Sequence, residues 1–388
     1  MTNGPTAPVP ASTSIAPSGT TVSRRDVTLS LTPVVGVGAL PEAAGVQFSL
    51  LRRVKGGQGR HSVHVGLDHQ LNTELAYKEI PKAILLAQPA FFREARLLHQ
   101  SRHRHVVPIM YACESTDTIY LAMPLFERGS LQTLMEARCL TARETVRLGL
   151  DMLMGLHHAH ISGVMHFDVK PDNVFIDASG AAMVADFGQS RDLIAGSVTD
   201  IPSLYLHHTP PEIGMGRMLT VAADVYQVGL TMYRMCVGDL AWRAQIAAAS
   251  AGGTSAFWDK IVRGTFPNRS AFPEHIPPRL AKVVKRALEV DVNRRFSTAL
   301  AMMEALAAVE NSPKLDWQPA PLAHGGMGWT FALERSVKRV ELRHDGSNRW
   351  QVEVTREGKS PARLHSECLD PSSESGARRH AKKALWGH

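Results

Sequence analysis

The eight residues His166-Phe167-Asp168-Val169-Lys170-Pro171-Asp172-Asn173, with Asp186-Phe187-Gly188 beginning thirteen positions after Asn173, constrain this chain more than any other stretch. Between the two motifs, Val174–Ile176 and Ala182–Ala185 are short apolar runs flanking a turn, the pattern of a tight hairpin. A polar loop and a second carboxylate are thereby set at the two ends of one small β unit. Asp168, Lys170, Asn173 and Asp186 supply two carboxylates, an amide and an ammonium. That set is suited to orienting a hydroxyl, holding a hard divalent cation through oxygen, and offsetting charge on a phosphoryl group in transit. An ordinary solvated turn has no use for all four.

More motifs stand around this pair in a definite order. Lys78 ends the strand-like Glu74-Leu-Ala-Tyr-Lys, and Glu94 sits in the helical-looking Phe92-Arg-Glu-Ala-Arg. Downstream come Pro210-Pro211-Glu212, then Asp224 in Asp-Val-Tyr-x-x-Gly, then Arg295 in Asp291-Val-Asn-Arg-Arg-Phe. Taken in order, from Val46 to Ala308, these motifs resemble those of a serine/threonine protein kinase of the bacterial type. The fold this implies is α+β and bilobal: a small β-rich N-lobe with one helix and a larger α-helical C-lobe. A small C-terminal α+β domain is expected in addition.

The resemblance implies ATP and Mg²⁺ as cofactors and assigns roles by position. Asp168 orients the acceptor hydroxyl and takes its proton, and Lys170 reaches the γ-phosphate. Asn173 and Asp186 are the metal ligands. Lys78 holds the α- and β-phosphates and pairs with Glu94; Lys82 competes for that role, but Pro81 before it speaks against a strand interior. Met123 resembles the gatekeeper, and Pro124 to Phe126 the hinge; Pro124 has no N–H, so the donor to the purine is Phe126. Val63, Ala76 and Phe175 sandwich the adenine. Asp224 anchors the catalytic-loop backbone, and Arg295 pairs with Glu212.

Three places depart from the family pattern. With Val63 set as the loop's valine, Gln58 and His61 fall at two glycine positions, and Gly56, Gly57 and Gly59 make a looser lid than the usual glycine-rich loop; the less favoured register starts at Gly57 and Gly59. Phe167 stands where an arginine normally grips an activation-loop phosphate, so phosphorylation at Ser197, Thr199 or Ser203 lacks its usual anchor. Tyr205 falls where serine/threonine kinases carry threonine, although Lys170 still favours Ser/Thr acceptors. A nucleotide-binding scaffold without catalysis is the rival reading, and a small-molecule kinase a third.

At 388 residues, 44% apolar and 20% charged, the chain has the composition of a globular protein with two or three domains. Residues 1–45 read as a Pro/Ser/Thr-rich disordered leader, although 27–44 is equally compatible with a short extended segment. The kinase domain is expected over 46–310, a Pro-rich linker over 311–325, and a small basic domain over 326–388. In that last piece, alternation in Val337–Leu342 and Trp350–Val354 predicts two antiparallel strands, and a basic helix follows from about Ser375 to Leu385. Thirteen Lys/Arg against nine Asp/Glu follow Asn311, within a chain of net charge +7. A solvated helix face accounts for that excess, while an acidic partner or nucleic acid is the sharper alternative. Cys113, Cys139, Cys236 and Cys368 are scattered, and no apolar run reaches 18 residues. Both fit a cytoplasmic enzyme without a membrane span that acts on protein substrates.

Overall fold

The structure, a computed structural model, describes residues 25–30, 45–54, 62–83, 102–187, 191–192, 206–309, 312–323, 325–344, 349–358 and 361–387. The described residues fall into two compact units, one running to Lys82 and including Tyr111–Ala122, the other holding the remainder.

The first unit is a six-stranded sheet: β1 (Arg25–Ser30), β2 (Gly45–Arg53), β3 (Ser62–Asp68), β4 (Thr73–Pro81), β5 (Tyr111–Glu114) and β6 (Thr118–Pro124), in the order β1-β2-β3-β4-β6-β5. Alternation puts Leu75 and Tyr77 of β4 on one face, in a cluster with Val27, Phe48, Leu50 and Tyr120. Phe48 stacks on Tyr77 at 4.1 Å between ring centroids. Gly66 is required opposite them, because a Cβ there would lie 2.9 Å from the Tyr77 ring and from the Ser49 carbonyl oxygen. β1 lies inside the stretch read as leader. It pairs with Gly45–Leu50 of β2, so of the segment 27–44 read as extended or linker, residues 27–30 are strand, and the strand begins two residues earlier, at Arg25.

The second unit is mainly helical. It contains α1 (Leu131–Ala137), α2 (Ala142–Ile161), the bridging strands β7 (Val164–Met165), β8 (Val174–Ile176), β9 (Ala182–Val184) and β10 (Arg191–Asp192), then α3 (Pro211–Gly214), α4 (Ala222–Val237), α5 (Asp239–Ser250), α6 (Gly253–Val262), α7 (Pro278–Ala287) and α8 (Ala299–Ala307). Thr141 and Glu144 form a capping box at the start of α2. Every residue of α4 is buried, polar ones included, so it runs through the centre of this unit.

The C-terminal residues form a second antiparallel sheet, β11 (Gln318–Pro321), β12 (Met327–Leu333), β13 (Ser336–His344), β14 (Trp350–Gly358) and β15 (Ala362–Arg363), with β16 (Leu369–Ser372) also on β14 and helix α9 (Glu374–Trp386) against it. The register pairs Val340 with Val354 and Leu342 with Val352, and Ala377, Ala381 and Leu385 of α9 cover that apolar face. β11 falls in the expected linker. It is an edge strand, the position where Pro319 and Pro321 are tolerated because no ladder bond is lost to solvent. The α-helical part holds this piece through several bonds: Arg143 to Asp316, Trp329 Nε1 to His275 Nδ1 at 3.1 Å, Arg378 to Glu274 at 2.7 Å, and Trp386 Nε1 to the Glu274 carbonyl at 2.9 Å.

Candidate active site

The loop between β7 and β8 is held from behind by α4. Asp224, fully buried, accepts from the backbone N–H of His166 at 2.9 Å and of Phe167 at 2.8 Å, and from His160 Nε2 at 2.7 Å. One helical turn on, Gln227 accepts from the Val169 N–H at 3.1 Å and donates to the Phe167 carbonyl at 2.7 Å. Two side chains of one helix thus occupy four backbone groups of three residues of the loop. The grip holds Phe167 at φ +64°, a conformation costly for a bulky residue and kept only where neighbours enforce it. His166 Nε2 lies 2.9 Å from the Ala185 carbonyl, which can only accept, so Nε2 carries the proton and Nδ1 receives the Asp168 N–H. Burial lowers the His166 pKa, consistent with this neutral tautomer.

Three of the predicted residues meet on this loop. Lys170 Nζ lies 2.7 Å and 3.0 Å from the two Asp168 oxygens. The Asn173 amide nitrogen donates to the Asp168 carbonyl at 2.8 Å and to its carboxylate at 2.7 Å, so the atom left to ligate a cation is the amide oxygen. Burial raises the Asp168 pKa above the ordinary carboxylate value, against the opposing pull of Lys170, and the charge of Asp186 adds to the rise. Asp186 is exposed, at φ +62°, and the neighbouring Phe187 ring packs 4.4 Å from His166. β8 and β9 bring the two motifs together: the Ala185 N–H donates to the Asn173 carbonyl at 2.8 Å.

In the β-rich unit, Val63 pairs with Lys78 and Val65 with Ala76 across β3 and β4. Cross-strand partners share a face, so Val63, Ala76 and Lys78 line the side of the sheet opposite Leu75 and Tyr77. Lys78 is buried. Met123 and Pro124 end β6, and the rings of Phe126 and Phe175 stack at 5.2 Å. Gly56, Gly57, Gly59 and Glu94 lie outside the described residues, as do Ser197, Thr199, Ser203 and Tyr205.

Phe167 is fully buried, clustered with Met165, Leu219 and Ala223, where an arginine would reach outward. Arg295 forks onto Glu212 with two bonds of 2.9 Å, donates to the Ala222 carbonyl at 2.8 Å, and lies 4.8 Å from the Tyr226 ring. Sequence reasoning missed Gln227 and His160. A signal for Gln227 existed: it stands three residues after Asp224, on the same face of a mostly apolar helix.

A family model described as protein kinase domain matches residues 52–307. Similar curated proteins include the probable serine/threonine-protein kinase PknB of Lactococcus lactis, 24% identical over 67% of this chain and 42% of its own length. The serine/threonine-protein kinase PrkC of Bacillus subtilis is 25% identical over 68% of the chain and 41% of its length. PksC of Streptomyces coelicolor, a serine/threonine-protein kinase, is 27% identical over 72% of the chain and 51% of its length. The chain therefore spans about two fifths to one half of these relatives. Among the described residues, no helix is long and apolar enough to cross a membrane.

Proposed function

The chain belongs to the protein kinase family, and from that membership we propose that it transfers the γ-phosphoryl group of ATP to Ser or Thr hydroxyls of protein substrates, with Mg²⁺. What carries the reading is the hydrogen-bonded set of Asp168, Lys170 and Asn173 on a loop clamped by Asp224 and Gln227. Such a loop arrives preorganised, and positioning is most of what phosphoryl transfer asks of a protein.

Asp168 orients the acceptor hydroxyl and accepts its proton as the new P–O bond forms and the bond to the β-phosphate oxygen breaks. Its raised pKa makes it a better base than an ordinary aspartate, while Lys170 keeps it ionised and offers a cation to the moving phosphoryl group. The Asn173 amide oxygen and the Asp186 carboxylate are hard oxygen donors, which suit Mg²⁺ because that ion takes one or two protein oxygens beside phosphate and water. Bound there, the ion would neutralise charge on the triphosphate. The same membership assigns Lys78 to the α- and β-phosphates with Glu94 as its partner, and Gly56, Gly57 and Gly59 to the lid. Met123, Pro124 and Phe126 meet the purine edge, with Val63, Ala76 and Phe175 on its faces. A requirement for ATP fits a cytoplasmic enzyme. The domain layout that fits is a kinase domain over 46–310, extended at its front by β1, with the C-terminal unit beginning at β11.

The test is label transfer from γ-³²P-ATP to a protein acceptor by wild type and by Asp168→Ala. Labelling by wild type alone supports the proposal. If neither protein transfers label while both bind ATP, the scaffold reading replaces it, and label found only on small molecules would redirect the acceptor assignment.

A further inference from the structure

Helix α7 and helix α9 border a groove of about 500 Å³, a size that accommodates several side chains of a ligand. Five cations line it, Lys282 and Lys285 from α7 and Arg378, Arg379 and Lys382 from α9, against the single carboxylate of Glu274. The helical spacing explains the concentration. Residues 282 and 285 lie three apart, and 378 and 382 four apart, so each set shares one helix face. The opposite faces, Leu280, Val283 and Val284 on α7 and Ala377, Ala381 and Leu385 on α9, are buried in the two cores.

The cations are not equivalent. Arg378 is spent on structure, bonded to Glu274 at 2.7 Å and Glu374 at 2.8 Å, which ties α9 to the helical unit. Lys285 lies over the Phe272 ring at 5.6 Å. Lys282, Arg379 and Lys382 are exposed, and among the described residues none of them has a carboxylate partner. Beneath the charges are apolar side chains, Phe272, Pro273, Ile276 and Ala281.

From this combination we infer that the groove docks an acidic peptide segment of a protein partner, with an apolar side chain seated on Pro273, Ile276 and Ala281 and flanking carboxylates on Lys282, Arg379 and Lys382. Charge complementarity of this kind sets orientation and association rate, and the apolar floor supplies the anchor. A single nucleic-acid strand fits less well, since it needs exposed aromatic faces for base stacking and the Phe272 ring is covered by Lys285. Residues 1–24 contain no Asp or Glu, so that segment does not supply the acidic occupant. The groove shares no residue with the phosphotransfer site, so it recruits a partner whichever way that proposal is resolved.

The experiment uses the full chain and a fluorescein-labelled peptide, Glu-Glu-Leu-Glu-Glu-Leu-Glu-Glu, followed by fluorescence anisotropy at low and moderate salt. Wild type and Asp168→Ala bind equally, which separates docking from catalysis. Lys282→Glu combined with Lys382→Glu weakens binding by about tenfold or more and leaves label transfer to a basic protein substrate unchanged. The single changes Lys282→Gln and Lys382→Gln give partial losses and guard against a folding artefact in the double variant. An unaltered affinity in all variants, equal binding of the matching Lys/Leu peptide, or a 12-nucleotide DNA that binds more tightly and displaces the peptide would each overturn the assignment.

Discussion

Replacing Asp224 by alanine tests the clamp on the catalytic loop. The carboxylate accepts three hydrogen bonds of 2.7–2.9 Å and is itself inaccessible to solvent. Burial pushes its pKa up, but the bond from His160, the nearby imidazoles and the backbone amides outweigh that, so the net shift is downward and the group is ionised at neutral pH. Alanine strands the N–H groups of His166 and Phe167, both in fully buried residues, where water cannot replace the lost acceptor. Each stranded donor costs about 1–3 kcal/mol, so the two amides alone account for about 2–6 kcal/mol. The strain of about 1–3 kcal/mol at the positive φ of Phe167 is no longer held by the clamp, so its relaxation recovers part of this loss while displacing the loop that carries Asp168. The loss is a large part of the roughly 5–15 kcal/mol by which a domain is stable. The substitution Asp224→Asn keeps one acceptor oxygen and loses less. Urea unfolding followed by intrinsic fluorescence gives the stability, and initial rates of phosphoryl transfer on the folded fraction give the catalytic effect. An alanine variant within about 1 kcal/mol of wild type, with an unchanged rate, would refute the reasoning.

Arg295→Ala leaves Glu212 buried and unpaired, and calorimetry should show a loss of about 3–5 kcal/mol. His275, held neutral by burial with its pKa lowered to about 4, makes stability fall as pH drops from 6.5 toward 4, because only the unfolded chain takes up the proton there. The loss reaches about 3 kcal/mol, and His275→Gln flattens the dependence of urea midpoint on pH; a slope identical to wild type contradicts this. With Phe167 buried in place of the usual arginine, the combined change of Ser197, Thr199 and Ser203 to alanine leaves initial rates within about tenfold, and a loss of about a hundredfold or more counts against it.

What was legible in the sequence follows physical lines. Residues 222–237 were readable as one helix because their apolar run is long and ends at Gly238, whose φ of +83° stops it. The β8–β9 hairpin was readable from two short apolar runs around a turn, and with it the pairing of Asn173 with Ala185, the residue before Asp186. Alternation located β13 and β14 together with their facing valines. Long-range pairs such as Glu212 with Arg295, 83 residues apart, came from the family resemblance, since no local period encodes them. α5 is not legible in the sequence, because it begins directly after α4 and buries only Asp239, Trp242 and Ala249, leaving no continuous apolar stripe. β11 was hidden by its prolines, which mark linkers and edge strands alike. The Trp329–His275 bond was unreadable because either residue reads equally well as plain core.

The central claim is that Asp168, presented by the clamped loop, serves the acceptor hydroxyl and not the nucleotide. Parallel measurement of Mg²⁺-ATP binding by calorimetry and of single-turnover phosphoryl transfer, for wild type and Asp168→Asn, addresses it most directly. Nucleotide affinity should hold while the transfer rate falls by about 10²–10⁴-fold. A variant that transfers at the wild-type rate, or whose only defect is weaker ATP binding, would contradict the account.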